Sequence, residues 1–176
     1  MESALASIIL ITLLLFGVLT LSETYFSTQE TLMVATKEMT ARNQEQTQTA
    51  LTLIATATKN AGANVELTFR NTGSAKVADF EQWDVIVQYY TVQDAYLIKW
   101  IPYAESANPG DNQWGVGGIY LTAETLTPEV YEPGILNPGE ELVMRLKLFP
   151  IVGIETTNLV TIAVGNGVSQ AAIFVR

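Results

Sequence analysis

The chain has 176 residues, with nine basic against eighteen acidic side chains, a net charge of −9 and a pI near 4.4. It lacks the clustered Lys and Arg that displace counterions from nucleic acid. It also has no Cys and no His, which excludes disulfides, thiolate or imidazole metal sites and His-based catalytic relays. An acidic surface suits a protein kept soluble outside a cell, and the absence of any Asn-x-Ser/Thr sequon argues against N-glycosylation.

Twenty uncharged residues, Ser3 to Ser22, open the chain between Glu2 and Glu23. Within them Ile8, Ile9, Leu10, Ile11, Leu13, Leu14, Leu15 and Phe16 make a helix apolar on every side except at Thr12, and Leu19 and Leu21 extend it. At ~1.5 Å per residue the run covers ~30 Å, the thickness of a bilayer's hydrocarbon core. Such a segment belongs in lipid, or in an equally apolar core built by copies of itself. A secretory signal would need a basic start and a small-x-small cleavage site. Here the first basic residue is Lys37, and the run ends in Ser22-Glu23-Thr24-Tyr25. A single membrane anchor also usually carries flanking positive charge. That charge is accounted for if a basic leader is removed just before Met1, so the expectation is that Met1 is a processed N-terminus.

From Glu23 to Gln48 there is neither Gly nor Pro, so the helix is expected to continue to about Gln48, a length of ~70 Å. Tyr25, Leu32 and Met39 recur every seven residues, with Phe26 and Met33 beside the first two, a narrow apolar stripe on a polar helix. Gly17 is a permissible kink point. The Thr-rich stretch Thr47 to Thr58 favours strand and marks the boundary.

Beyond Ala50 the period becomes two. Leu51 to Thr58, Val65 to Arg70, Trp83 to Tyr90, Ala95 to Ile101, Ile119 to Thr122, Leu142 to Leu148, Leu159 to Val164 and Ala171 to Val175 read as strands. Turns or loops rich in Gly, Pro and Asn separate them, including a long one from Pro102 to Gly118. Seven or eight short strands with such punctuation predict an immunoglobulin-like β-sandwich. The expected class is α+β: a long N-terminal helix, residues 1–48, hydrophobic and then amphipathic, followed by an all-β sandwich head, residues 49–176.

Candidate chemistry is sparse. Glu140-Glu141 is a carboxylate pair, but it follows Asn137-Pro138-Gly139 and opens a strand, so a solvated strand start is the expectation. Without His or Cys only rarer Ser-Lys or carboxylate arrangements could serve an enzyme, and none is expected here. Asn108-Pro109-Gly110-Asp111-Asn112 offers oxygens to a hard cation such as calcium, but its spacing fits a surface turn better than a calcium loop. Trp114-Gly115-Val116-Gly117-Gly118 has no Lys and opens no helix, so it is expected to be a loop tip rather than a P-loop. Trp114 and Tyr120 are candidates either for an inter-subunit contact or for packing on their own domain.

Three features together carry a resemblance. The chain opens directly into Ala4-Leu5-Ala6-Ser7-Ile8-Ile9-Leu10-Ile11, continues as a long helix and ends in a β head. In that head, Val65 to Arg70 is followed by Asn71-Thr72-Gly73-Ser74, and Leu136-Asn137-Pro138-Gly139-Glu140 precedes another strand. In this layout the chain resembles the type IV pilin superfamily, and most of all an archaellin, the archaeal-type flagellin. Bacterial pilins usually carry Glu at the fifth mature position, where this chain has Leu5, which turns the resemblance away from an adhesive pilus. The resemblance implies a leader cut by a prepilin-type peptidase, membrane insertion before assembly, and growth on an ATP-driven platform into an extracellular homopolymer. It also implies no cofactor and no nucleic-acid partner. The helix residues named above, Ile8 to Phe16, Leu19, Leu21, Tyr25, Phe26, Leu32, Met33 and Met39, would then form the filament core. The rival within the same machinery is a stator-like protein, which would keep Ser3 to Ser22 in the bilayer.

Overall fold

The computed structural model of the chain describes residues 2–129 and 131–176. Helix α1 runs without a break from Glu2 to Gln48, passing Gly17 as regular helix. The chain forms two compact units, Met1–Asn43 and Gln44–Arg176, so the last helical turn belongs with the head.

Among the described residues the head holds nine strands, one more than the sequence pattern suggests. Strands β1 (Leu51–Lys59), β2 (Asn64–Asn71), β5 (Gln113–Thr122), β6 (Thr127–Pro128) and β7 (Glu141–Lys147) form one sheet in the order β1-β2-β7-β5-β6. Strands β3 (Asp84–Tyr90), β4 (Tyr96–Trp100), β8 (Thr157–Ala163) and β9 (Ser169–Val175) form the second in the order β4-β3-β8-β9. All pairs are antiparallel. Setting aside the two-residue β6, the sheets correspond to ABED against C′CFG, the immunoglobulin-like arrangement.

The alternation seen in the sequence is what faces the sheets inward. Val65, Leu67 and Phe69 on β2 lie opposite Leu146, Met144 and Leu142 on β7, all buried. Val85, Val87 and Tyr89 on β3, Val160 and Ile162 on β8, and Ala172 and Phe174 on β9 close the core from the other side. With no disulfide in the chain, burial of this apolar core is the main term that holds the sandwich.

Two expectations are corrected. The Gly-rich stretch from Trp114 to Gly118 is the first half of β5, and Trp114 is a buried core residue. Its ring stands edge-on to Tyr103 at 4.9 Å and lies 6.1 Å from Trp83, which rules out its being an inter-subunit contact. Glycine is needed there because a Cβ at Gly115 would come within 2.1 Å of the Ser106 carbonyl oxygen. The neighbouring strand Tyr120 is half-buried.

The second correction is the carboxylate pair. Glu140 and Glu141 are both buried, at 4% and 3% exposure, instead of one facing water. The pleat argument fails because Glu140 precedes β7 and folds back on its own turn, where Oε2 accepts from the Asn137 backbone N–H at 2.8 Å. Glu141 accepts from the Arg70 guanidinium on one oxygen and from the Ala123 N–H at 2.7 Å on the other. Both are structural acceptors.

The two turns singled out in the sequence meet at the foot of the helix. A helix leaves its last carbonyls without intrahelical donors. Here Ser74 N–H and Ala75 N–H donate to the Gln48 carbonyl at 2.8 and 3.1 Å. Thr72 and Gly73 donate to that of Ala50 at 2.9 and 3.2 Å. The approach is so close that a Cβ at Gly73 would sit 2.2 Å from the Gln48 oxygen. Asn71, fully buried, holds this turn in shape. Its Nδ2 donates to the carbonyls of Ala75 and Leu136 at 2.8 and 3.0 Å, and its Oδ1 accepts from Gly73 N–H at 3.0 Å. Its backbone pairs with Gly139 and Glu140. On the other side, Asn166 donates to Thr49 Oγ1 at 2.8 Å and accepts from Gln46 Nε2 at 2.7 Å.

Replacing Asn71→Ala removes three side-chain hydrogen bonds that shape the turn and should cost about 2–4 kcal/mol, read as a lower denaturant midpoint of the detergent-solubilised chain. A midpoint shift under about 0.5 kcal/mol would contradict this account of the turn. A second outcome concerns acid. Burial raises the Glu66 pKa, but hydrogen bonds and positive charge from Lys59 and Arg145 outweigh it and hold the carboxyl below its ordinary 4.5. A depressed folded value means the interaction stabilises at neutral pH and is lost as pH falls from the ordinary value through the lower one. Glu66→Gln should therefore flatten the acid limb of the stability-versus-pH curve relative to the unaltered chain, and superimposable limbs would refute it.

Candidate functional site: the N-terminal helix

The fifteen helix residues named in the sequence, from Ile8 to Met39, are 53–72% exposed. The apolar stretch thus presents its side chains all round, as its composition dictates. Leu5 and Val18 belong to the same surface and are equally uncovered.

Its few hydroxyls do not make it polar. Ser7 Oγ donates to the Ser3 carbonyl, Thr12 Oγ1 to that of Ile8 and Thr20 Oγ1 to that of Phe16, each at 2.8 Å. Such i to i−4 bonds spend the hydroxyl proton on the helix's own backbone. With the backbone bonded internally as well, the middle of the stretch, from Ser7 to Thr20, can enter hydrocarbon or a dry protein core with its hydroxyl protons already placed. Thr12, the one polar residue from Ile8 to Phe16, is no interruption once its hydroxyl bonds back to Ile8.

The second half carries the stripe. Tyr25, Leu32 and Met39 keep to one side with a drift of ~20° per heptad. The Tyr25 and Phe26 rings meet edge-on at 6.1 Å, and Gln29 donates to the Tyr25 hydroxyl at 2.7 Å. Thr24, Thr28, Thr31, Thr36 and Thr40 again bond back to the preceding turn, which makes this half less hydrophilic than its composition implies. Val34 is exposed nine residues after Tyr25, on the opposite side of the helix, so the apolar stripe is not the only greasy surface in this half. The expectation about Met1 as a processed terminus concerns a residue outside the described ones.

The head offers no comparable chemistry. In the 108–112 turn, Asp111 pairs with Lys147 at 2.8 Å, and Asn112 Oδ1 accepts from Lys99 Nζ at 3.1 Å and Phe149 N–H at 3.2 Å. Those acceptors face ammonium groups, which fits a tie between strands better than a cation site. Among the described residues no three His, Cys, Asp or Glu side chains cluster closely enough to hold a metal ion.

No sequence-family model matches the chain, and no curated protein matches it by sequence. The fold does match solved structures. The chain is similar to the archaellum periplasmic stator protein FlaG from Sulfolobus acidocaldarius, at 14% identity and a TM-score of 0.51, over 72% of this chain and 99% of that one. It is also similar to the archaeal flagellum of Methanospirillum hungatei strain JF1, at 14% identity and a TM-score of 0.52, over 99% of this chain and 91% of that one. The second match extends over the helix as well as the head. An N-terminal helix followed by an antiparallel sandwich is thus a fold this chain shares with archaellum proteins.

Proposed function

We propose that the chain is a structural, non-enzymatic subunit of an archaellum-like filament on the cell surface. Its N-terminal helices pack in the core, and the sandwich heads form the outer wall. The observation that carries this reading is the helix, apolar over its whole circumference from Ser3 to Ser22, with its hydroxyls bonded back to its own carbonyls. Burying a Leu or Ile side chain is worth ~1.5–3 kcal/mol. A run of such residues cannot be left in water by a chain whose whole stability is on the order of 10 kcal/mol.

Before assembly the bilayer supplies the cover, and the helix is long and apolar enough to span it. After release from the membrane only copies of the same helix can replace lipid. Tyr25, Phe26, Leu32, Met33 and Met39 continue the contact beyond the all-apolar section. A heterologous contact that does not close on itself yields an open helix, which is how one kind of subunit makes a long filament. Support also comes from the likeness to the Methanospirillum archaeal flagellum, which extends over 99% of this chain. A prepilin-type peptidase and an assembly platform are the partners this route requires.

A second reading is favoured by the FlaG match, which covers 99% of that stator protein. In it the helix stays in the bilayer and the head acts as an anchored accessory of the same machinery. Shearing separates the two. Filament subunits appear in the pelleted shear fraction, with an N-terminal sequence starting at Met1, while an anchored protein stays with the membranes.

Leu14→Asp gives a second check. In a dry helical core an unpaired carboxylate costs several kcal/mol per subunit, while a long apolar segment still inserts into membrane against a penalty of ~2.5–3.5 kcal/mol. The variant should fractionate with membranes and form no filaments; normal filaments by electron microscopy would refute the core placement.

A further inference from the structure

The two outer faces of the sandwich differ in kind. Outward positions of the first sheet carry ion pairs, Lys59 with Glu66, Glu66 with Arg145 and Arg70 with Glu141. Outward positions of the second sheet do not. Register places Trp100, Ile86, Thr161 and Ala171 in one row across β4-β3-β8-β9, and Ile98, Gln88, Leu159 and Ile173 in the next. Ile98, Trp100 and Ile173 are 62%, 60% and 61% exposed. Asp84 is the one charged residue on this face among the described residues, and it accepts from Trp100 Nε1 at 2.9 Å. Tyr96 donates to Gln88 Oε1 at 2.8 Å while its ring packs on Tyr90. Two of the polar groups on the face are therefore engaged by its own aromatic side chains. An antiparallel sheet normally turns polar residues to water, and this one turns apolar ones.

We propose that this face is covered by the head of a second copy of the chain. Charge selects the occupant. Two copies at −9 each repel, least across a seam that carries few charges, and this face carries a single carboxylate, Asp84, among the described residues. A lipid surface would want cations beside the apolar residues, but each Lys and Arg described in the head is already engaged by a carboxylate, carbonyl or amide oxygen. Area selects the kind of contact. Four strands at ~4.8 Å spacing and about five residues at ~3.3 Å make a patch of roughly 300 Å². A stable free-standing pair needs about 800 Å² per partner. The seam is thus too small to hold two heads alone, and suited to a contact repeated along a polymer that the helices already hold together. The inference rests on the filament reading.

A photo-crosslinking residue, p-benzoylphenylalanine, placed at Ile98 and in a second variant at Ile173 of the full chain identifies the occupant by adduct mass. A third variant carries it at Thr68, on the charged outer face, and a fourth at Leu14. In the assembled state the Ile98 and Ile173 probes should yield an adduct of two copies at roughly tenfold or more the Thr68 level, the ratio that a 1.4 kcal/mol preference gives. Dispersal into detergent should abolish it. A lipid adduct, an adduct with another protein, or no adduct at both positions overturns the inference. If Leu14 still joins two copies, the filament reading survives that failure. If the Leu14 probe meets only lipid, the filament reading fails, and the two-copy adduct at Ile98 still decides this inference in the membrane-held protein.

Discussion

A helix that is greasy around its full circumference has only two solvents, hydrocarbon and other helices like it, and the rest of this molecule is arranged around that restriction. The backbone satisfies itself, and Ser7, Thr12 and Thr20 satisfy theirs on it. Every methylene added to the stretch makes water a worse alternative by ~0.8 kcal/mol. Neither the helix nor its environment needs a charge, a metal or a disulfide for the segment to be held. Moving it from lipid to protein is then an exchange between two apolar media, with little net polar cost in either direction. That is the property a reversible membrane-to-filament transfer would require.

The head complements this by folding on its own account. Its core comes from the two sheets and the loops that flank them, with Phe69, Trp114, Tyr89 and Phe174 among the largest buried side chains. Where the chain passes from helix to sandwich, the tie is made of backbone bonds. The last helical carbonyl at Gln48 is met by Ser74 and Ala75, and the turn that presents them is shaped by Asn71 from inside the sheet. No basic residue in the last turn and no glycine C′ cap is used.

The sandwich itself is asymmetric. One outer face is laced with ion pairs and comfortable in water, while the other is largely apolar and carries one charged residue, Asp84, among the described residues. A patch of roughly 300 Å² is of the size that the largest apolar patch on a typical monomer reaches, and such patches are often functional. In the proposed assembly the charged face would meet water, and the apolar one, with Asp84 as its single carboxylate among the described residues, would meet a neighbouring copy.

Much of this was legible in residue order. An unbroken apolar run of bilayer length needs no tertiary information, because its physics is that of a single helix in a solvent, and strict alternation such as Val65 to Arg70 puts Leu67 and Phe69 inside whichever sheet receives the strand. What failed to show were features set by partners distant in sequence. The glycines from Gly115 to Gly118 read as a loop because their local preference is weak; they form a strand by pairing with β7, and Gly115 is needed because the segment at Ser106 crosses too closely for a side chain there. Glu140 and Glu141 read as solvated because charge usually is; Arg70, Ala123 and a turn that doubles back supply the donors that allow burial. Asn71-Thr72-Gly73-Ser74 could be seen as a turn, but its duty of meeting the helix end depends on Gln48 and Leu136, residues no local window contains. Local chemistry alone thus determined the helix, its need for an apolar surrounding and the period-two head, since each depends on neighbours a few residues away. Only the tertiary fold decided which polar groups could afford to be buried and which face of the sandwich was left greasy, because both depend on what long-range pairing brings within hydrogen-bonding reach.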